Sequence, residues 1–186
     1  MAFTDIYTTE KRYNIIDADP PWKYGNRPVR SGRYSQLDYN QMTTPEICAL
    51  PVERIVADDC ALTMWFTASF VKDAIVVAEA WGFKVIRIDT VWNKKTSGGR
   101  PHATPGAWGM TDCEFKLLAT RGKACSMQTG KHNMYTGHDV TVDPVHSKKP
   151  DYFLDLLDKR FKPLPKIELF ARRAYGSWDY WGDQVG

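Results

Sequence analysis

Residues 13–22 read Tyr-Asn-Ile-Ile-Asp-Ala-Asp-Pro-Pro-Trp, a short apolar run that ends in an aspartate, two prolines and a tryptophan. The apolar run predicts a buried β-strand over Tyr13–Ala18. Proline has no backbone N–H to offer a neighbouring strand, so Pro20 and Pro21 stop the pairing abruptly. Asp19 and Trp22 are therefore expected at the carboxyl end of a buried strand, on a turn stiffened by the proline rings.

The rest of the chain alternates between apolar runs typical of strands and segments of helical periodicity. Strands are predicted at 60–66, 83–92, 113–119, 140–145 and 166–170, helices at 44–50, 69–81 and 150–160, and long loops at 23–39, 93–110 and 120–136. Thr44 is expected to cap the first helix, Gly82 to end the second and Pro150 to open the third. The alternation predicts an α/β fold around a largely parallel sheet, in which ligands lie at the carboxyl ends of the strands.

Length and composition favour one soluble domain spanning residues 1–186. Apolar residues make up 43% of the chain, yet no run approaches the roughly 18 residues of a membrane span. The N-terminal segment lacks an apolar signal core, which predicts a cytoplasmic protein. The four cysteines lie in or beside apolar runs without a Cys-x-x-Cys pair, so we expect buried, reduced thiols and no metal site.

Basic residues are concentrated in three loops. They are Arg27, Arg30 and Arg33 in the first, Lys94, Lys95, Arg100 and His102 in the second, and Arg121, Lys123, Lys131 and His132 in the third. Gathered around one site, these loops would form a rim for nucleic-acid phosphates. Each cluster taken alone fits solvated loop charge equally well, and the net charge of +3 does not decide between the two.

Five segments, taken in order, resemble the signatures of the MT-A family, which is named for the catalytic subunit of the mRNA adenosine-N6 methyltransferase. They are 16–22 (IDADPPW), 39–42 (YNQM), 146–151 (HSKKPD), 168–172 (ELFAR) and 178–182 (WDYWG). The resemblance extends over nearly the whole chain. It implies a Rossmann-like, S-adenosyl-L-methionine-dependent methyltransferase fold in permuted order, with the catalytic motif before the main cofactor strand.

The resemblance also implies a reaction, the transfer of a methyl group from S-adenosyl-L-methionine to the N6 amine of adenine. That amine is a poor nucleophile because its lone pair is delocalised into the ring. Asp19 and a backbone carbonyl of Pro20 or Pro21 would accept its two N–H groups and hold it for attack. Trp22 would stack on the extracted base, which is worth roughly 1–3 kcal/mol.

Further site residues follow from the resemblance and from the basic loops. Those predicted to surround the cofactor are Asp17, Asp19, Lys149, Glu168, Phe170, Arg172, Asp183 and Gln184; those predicted at the nucleic acid are Tyr39, Met42, Glu114, Arg27, Arg30, Arg33, Lys94 and Lys95. Lys149 is expected to meet the cofactor's methionyl carboxylate beside a helix N-terminus. Asp183 departs from the family's asparagine and lacks the amide donors.

The resemblance to compact bacterial and phage members predicts DNA as the partner, with homodimer formation left open. RNA is the nearest alternative, because the base presented to Asp19 would be the same. A second alternative is a catalytically silent scaffold that binds nucleic acid, although such members generally lose the Asp or Trp of the motif. Cytosine-N4 methylation uses a related Ser-Pro-Pro-aromatic pattern, and Asp19 argues against it.

Overall fold

The computed structural model describes residues 1–24, 40–106, 109–130, 135–142 and 148–182. Its strands are β1 (Tyr13–Ala18), β2 (Val56–Phe66), β3 (Lys84–Lys95), β4 (Thr104–Gly106), β5 (Gly109–Thr111), β6 (Cys113–Arg121), β7 (Gly137–Thr141), β8 (Lys166–Leu169) and β9 (Asp179–Trp181). Its α-helices are α1 (Thr44–Cys48), α2 (Val71–Ala80) and α3 (Tyr152–Arg160), with short 3-10 turns at Val52–Ile55, Ala68–Phe70 and Ala124–Met127.

Seven strands form one sheet in the order β7-β3-β6-β2-β1-β8-β9. All of them run in the same direction except β6, which is antiparallel to both β2 and β3. The strand that carries the Asp-Pro-Pro-Trp motif lies inside the sheet, beside the late strand β8. The predicted α/β fold with a largely parallel sheet is confirmed, and the strand that leads into the motif comes first in the chain.

Successive side chains of β1 point to opposite faces of the sheet, as the pleat requires. Ile16 and Ala18 belong to the larger core, which also holds buried residues of α1 and α2. Ile15 faces the other side and packs with Leu154 and Leu157 of α3. Asp17 shares this second face, one step nearer the carboxyl end of the strand, so a charged residue lies directly above an apolar core.

The structure corrects two of the predicted helix starts. Thr43, not Thr44, is the N-cap of α1, where its backbone N–H donates to the Glu46 carboxylate at 2.7 Å in a capping box. Pro150 does not open α3, because Asp151 is the N-cap and the helix begins at Tyr152. The predicted end of α2 is confirmed, since Gly82 follows it with a φ of +82°.

Three sequence-based expectations about loops and burial were incomplete. The predicted loop 93–110 contains the first strand of the hairpin β4–β5, and β9 was not predicted. The expectation of buried cysteines is wrong for Cys125, which is exposed, and only Cys60 is fully buried. None of the described helices has the length and apolar content needed to cross a membrane.

Candidate active site

The turn after β1 is fixed by backbone hydrogen bonds. The Trp22 N–H donates to the Pro20 carbonyl at 2.9 Å, and the Met42 N–H donates to the Pro21 carbonyl at 2.8 Å. Met42 in turn accepts from the Lys23 N–H at 3.0 Å. Each proline carbonyl keeps a second lone pair, so the turn can still accept an N–H from a ligand. Met42 therefore lies beside the motif, and its role at the nucleic acid stays a prediction.

Asp19 is held by a lysine from the far end of the chain. The Lys149 ammonium donates to both carboxylate oxygens of Asp19, at 2.9 and 2.8 Å. It also pairs with Glu114 at 3.2 Å, and the second oxygen of Glu114 lies 2.5 Å from the Lys94 ammonium. The four residues form an alternating chain of charges, here called the edge network, along the carboxyl edge of the sheet.

The edge network fixes the charge state of two of its members. Burial alone would lower the pKa of Lys149, but the nearby Asp19 and Glu114 carboxylates raise it further than burial lowers it. Burial likewise opposes ionisation of Glu114, while Lys149 and Lys94 hold its pKa below the usual value. Lys149 therefore stays a cation and Glu114 an anion at neutral pH.

A second ion pair lies deeper on the same face. Lys116 of β6 pairs with Asp17 at 3.0 Å and lies 4.5 Å from the centre of the Trp65 ring. The Thr63 hydroxyl donates to Asp17 at 2.5 Å. Both oxygens of Asp17 therefore already have partners within the protein, although the sequence predicted that this residue contacts the cofactor.

Glu168 lies next to Asp17 across the β1–β8 ladder and is buried. One oxygen lies 3.7 Å from the Arg173 guanidinium, while Oε2 has no hydrogen-bond partner among the described residues. Burial raises the pKa of Glu168 to about 7, and the Asp17 charge adds to the rise. A buried acceptor without a donor is costly, so this carboxyl group suits a ligand that brings a hydroxyl or an amine.

Trp22 lies inside the protein rather than at its surface. Its indole N–H donates to the Trp65 carbonyl at 3.0 Å, and its ring stacks on Phe70 at a centroid distance of 5.4 Å. Tyr24 packs edge-on against the same Phe70 and is partly exposed. Trp22 is 6% exposed, which leaves little of the ring for the predicted stacking on adenine.

The other predicted site residues are less closely engaged with Asp19. Lys95 pairs with Asp139 at 3.2 Å, at the outer side of the sheet. Phe170 follows β8 with a φ of +61° and packs on Trp181. Arg172 lies near enough to Lys149 for its charge to oppose the rise in the lysine pKa. The predicted residues that lie outside the described part of the chain are Arg27, Arg30, Arg33, Tyr39, Lys131, His132, Asp183 and Gln184.

Sequence reasoning missed Lys116, Thr63 and Arg173. A signal for the first was present, because Lys116 interrupts an apolar strand run and a buried cation needs a buried anion. Asp17 interrupts the strand run 13–18 in the same way. Each irregularity indicated a buried charge that needs a partner, but neither indicated which residue that partner is.

Comparisons with known proteins show which family the chain resembles. The MT-A70 family model matches residues 13–184. The chain is 31% identical to the type II methyltransferase M.MunI of a Mycoplasma species, over 94% of this chain and 78% of the relative. It is 28% identical to the N(6)-adenine-specific methyltransferase METTL4 of Homo sapiens, covering 94% of this chain and 38% of that protein. It is 27% identical to the N6-methyladenosine RNA methyltransferase MTA1 of Cryphonectria parasitica, covering 93% and 52%. The chain, with its proline-locked Asp19 inside the matched region, belongs to the MT-A70 family.

Proposed function

We propose that this protein transfers a methyl group from S-adenosyl-L-methionine to the N6 amine of adenine in DNA. The observation that carries the proposal is the position of Asp19, fixed on a proline turn and bound by Lys149 through both oxygens. Such a carboxylate is a rigid acceptor for an amine. Family membership over residues 13–184 supports the same chemistry.

Asp19 acts on the acceptor amine. An ionised carboxylate offers about four lone-pair sites, so Asp19 can still accept one adenine N–H group while Lys149 binds both of its oxygens. When the amine N–H groups donate hydrogen bonds to these acceptors, the nitrogen lone pair is less delocalised into the ring and can attack. The proline carbonyls supply the second acceptor. The new C–N bond would form as the methyl group's C–S bond breaks and the sulfonium becomes a neutral thioether. One amine proton would then become acidic, and Asp19 is positioned to take it.

Lys149 and Glu168 fit different polar groups of the cofactor. These groups are the carboxylate and the amine of its methionine moiety and the hydroxyls of its ribose. The cofactor supplies an electrophilic methyl group on a sulfonium. The Lys149 ammonium, partly exposed at the edge of the sheet, suits a carboxylate. The unpartnered Oε2 of Glu168 suits an amine or ribose hydroxyl donor. Arg173 pairs with Glu168, and its Nε lacks a hydrogen-bond partner among the described residues.

DNA is favoured over RNA by the relatives. M.MunI, a type II methyltransferase, shares 31% identity and is covered over 78% of its length, while the relative named for RNA shares 27% over 52%. Homodimer formation has no support in the comparisons. RNA stays the second candidate, because another relative in the same family carries that activity in its name.

The test is incorporation of labelled methyl groups from S-adenosylmethionine into bacterial genomic DNA and into total RNA, followed by digestion and identification of the nucleosides. We expect N6-methyldeoxyadenosine from DNA, at a higher rate than N6-methyladenosine from RNA. Asp19→Asn is the matched control and should incorporate almost none. Methylcytosine as the product, or equal incorporation by the Asp19→Asn variant, would contradict the proposal.

A further inference from the structure

The β4–β5 hairpin is a separate two-stranded sheet that projects from the edge where Asp19 lies. It connects the carboxyl end of β3 to the start of the antiparallel strand β6. Because β3 is parallel to β1, both of those ends lie at the carboxyl edge of the sheet. None of the hairpin's described residues belongs to a core cluster, so the hairpin stands clear of the body of the protein.

The base of the hairpin is tied to the edge network. The His102 N–H donates to the Lys94 carbonyl at 2.8 Å, and the Lys94 N–H donates to the Asp112 carbonyl at 2.7 Å. Both legs of the hairpin are therefore bonded to one residue. The side chain of that residue binds Glu114, which leads through Lys149 to Asp19. The direction in which the hairpin points is thus fixed relative to the candidate active site.

The hairpin presents an apolar pair to solvent. Pro105 and Met110 lie directly opposite one another in the ladder, and Met110 is 66% exposed. Directly opposed residues project from the same face of a two-stranded ribbon. The next pair toward the tip is Gly106 and Gly109, which have no side chains. The apolar pair is therefore not shielded by the side chains of the neighbouring pair on its tip side.

The surroundings of the hairpin suit a polyanion. Arg100 is exposed in the turn that leads into it, where its carbonyl accepts from the Thr96 N–H at 2.8 Å. His102 follows two residues later and is half-buried. An Arg side chain and an imidazole near an exposed apolar pair suit the surface of a duplex, whose phosphates lie outside and whose base stack lies within.

We propose that Met110, supported by Pro105, is a wedge that enters the base stack of double-stranded nucleic acid beside the target adenine. The inference rests on the proposed function, because an adenine inside a duplex cannot reach Asp19 until it leaves the stack. Extraction of the base costs a few kcal/mol. Apolar side chains such as Met and Pro offset this cost by filling the gap that opens between neighbouring base pairs. Four residues of extended chain span about 13 Å, so Met110 lies within about that distance of Glu114 in the edge network.

The test compares methylation of native genomic DNA with methylation of the same DNA after heat denaturation, for wild type, Met110→Ala and Met110→Leu. We expect Met110→Ala to lower the ratio of native to denatured rates at least ten-fold, because a single-stranded adenine needs no wedge. Met110→Leu should keep the wild-type ratio. Ile86→Ala, an exposed apolar residue of β3 with no part in the edge network, is the matched control and should leave both rates unchanged.

An unchanged ratio in Met110→Ala would overturn the wedge, and so would equal losses on the two substrates. Wild-type protein that methylates only the denatured DNA would also overturn it, since no duplex would then be opened. These results leave the proposed function intact. Failure of the wild type on both substrates would instead remove the proposed function, and the wedge with it.

Discussion

Two lysine–aspartate pairs stand side by side at the end of β1, and they differ in exposure. The enclosed pair, Lys116–Asp17, has an N···O distance of 3.0 Å and side chains that are 2% and 5% exposed. The open pair, Lys149–Asp19, has a distance of 2.8 Å and side chains that are 14% and 17% exposed. Their geometries are similar, so the difference between them lies in what can reach them.

The comparison separates a structural role from a binding role. Thr63 and Trp65 surround the enclosed pair, and all of its charge is compensated within the protein. The open pair shares its lysine with Glu114 and lies at the edge of the sheet. A ligand group can therefore take the place of one residue in the open ion pair. The same replacement in the enclosed pair would leave a buried charge without compensation.

Breaking the enclosed pair should have the largest effect on stability. Lys116→Met leaves the Asp17 carboxylate buried without its cation, and we expect a loss of about 3–5 kcal/mol in the free energy of unfolding. Urea unfolding followed by circular dichroism measures it. The double variant Lys116→Met/Asp17→Leu removes both charges and should recover most of the loss. A double variant as unstable as the single one would show that the pair's charges are not the cause.

Changing the acceptor of the open pair should act on catalysis instead. Asp19→Asn keeps the shape of the side chain but offers the amine only a neutral carbonyl oxygen. We expect methyl transfer to fall by about 10²–10³-fold, while affinity for S-adenosylmethionine, measured by calorimetry, stays within a few fold. Asp17→Asn is the matched control: it should lower the unfolding free energy but keep activity per folded molecule. Full activity in the Asp19→Asn variant would remove Asp19 from the mechanism.

The contrast between the two pairs also marks what the sequence could predict. The motif at residues 19–22 predicted the strand end and the turn, because proline stops strand pairing whatever surrounds it. The alternation of strands and helices predicted the α/β sheet, and both are local properties of the chain. Lys149 and Glu114 were predicted to take part through the family resemblance, and the structure brings them to Asp19.

Partner choice across the sheet was beyond prediction. Asp17 and Lys116 are 99 positions apart, and only the order of the strands brings them together. The sequence placed Asp17 at the cofactor, whereas the strand register gives its oxygens to Lys116 and Thr63. The burial of Trp22 against Phe70 depends in the same way on the segment before α2 lying over the motif, which no local pattern around Trp22 indicates.

Removing the cation of the open pair should weaken cofactor binding. The expected loss in binding free energy is smaller than the rise in activation free energy expected for Asp19→Asn. Lys149→Ala loses one charge-assisted hydrogen bond to a carboxylate, and we expect a loss of about 1.5–3 kcal/mol in binding free energy. Calorimetric titration with S-adenosylmethionine measures it. Lys95→Ala removes a lysine that pairs with Asp139 outside the edge network and should bind normally. Unchanged affinity in the Lys149→Ala variant would defeat the assignment of Lys149 to the cofactor.

The smallest expected effect concerns pH and the carboxyl group beside the enclosed pair. Burial and the Asp17 charge raise the pKa of Glu168 to about 7 in the folded protein, against an ordinary 4.5. If the ionised form accepts a donor from the cofactor, affinity should rise about ten-fold between pH 6 and 8, because the ionised fraction rises by that factor around a pKa of about 7. Calorimetry at several pH values measures the rise, and Glu168→Gln should abolish it.

The free energy of unfolding should change with pH in the opposite sense, which separates binding from folding. Between pH 4.5 and about 7 the Glu168 carboxyl group ionises in the unfolded chain before it does in the folded one. The folded state therefore binds more protons, and wild-type stability relative to Glu168→Gln falls as pH rises through that window. Asp17→Asn removes the neighbouring negative charge and should shift both curves to lower pH. A binding curve that stays in place in the Asp17→Asn variant would show that the pH dependence does not come from Glu168.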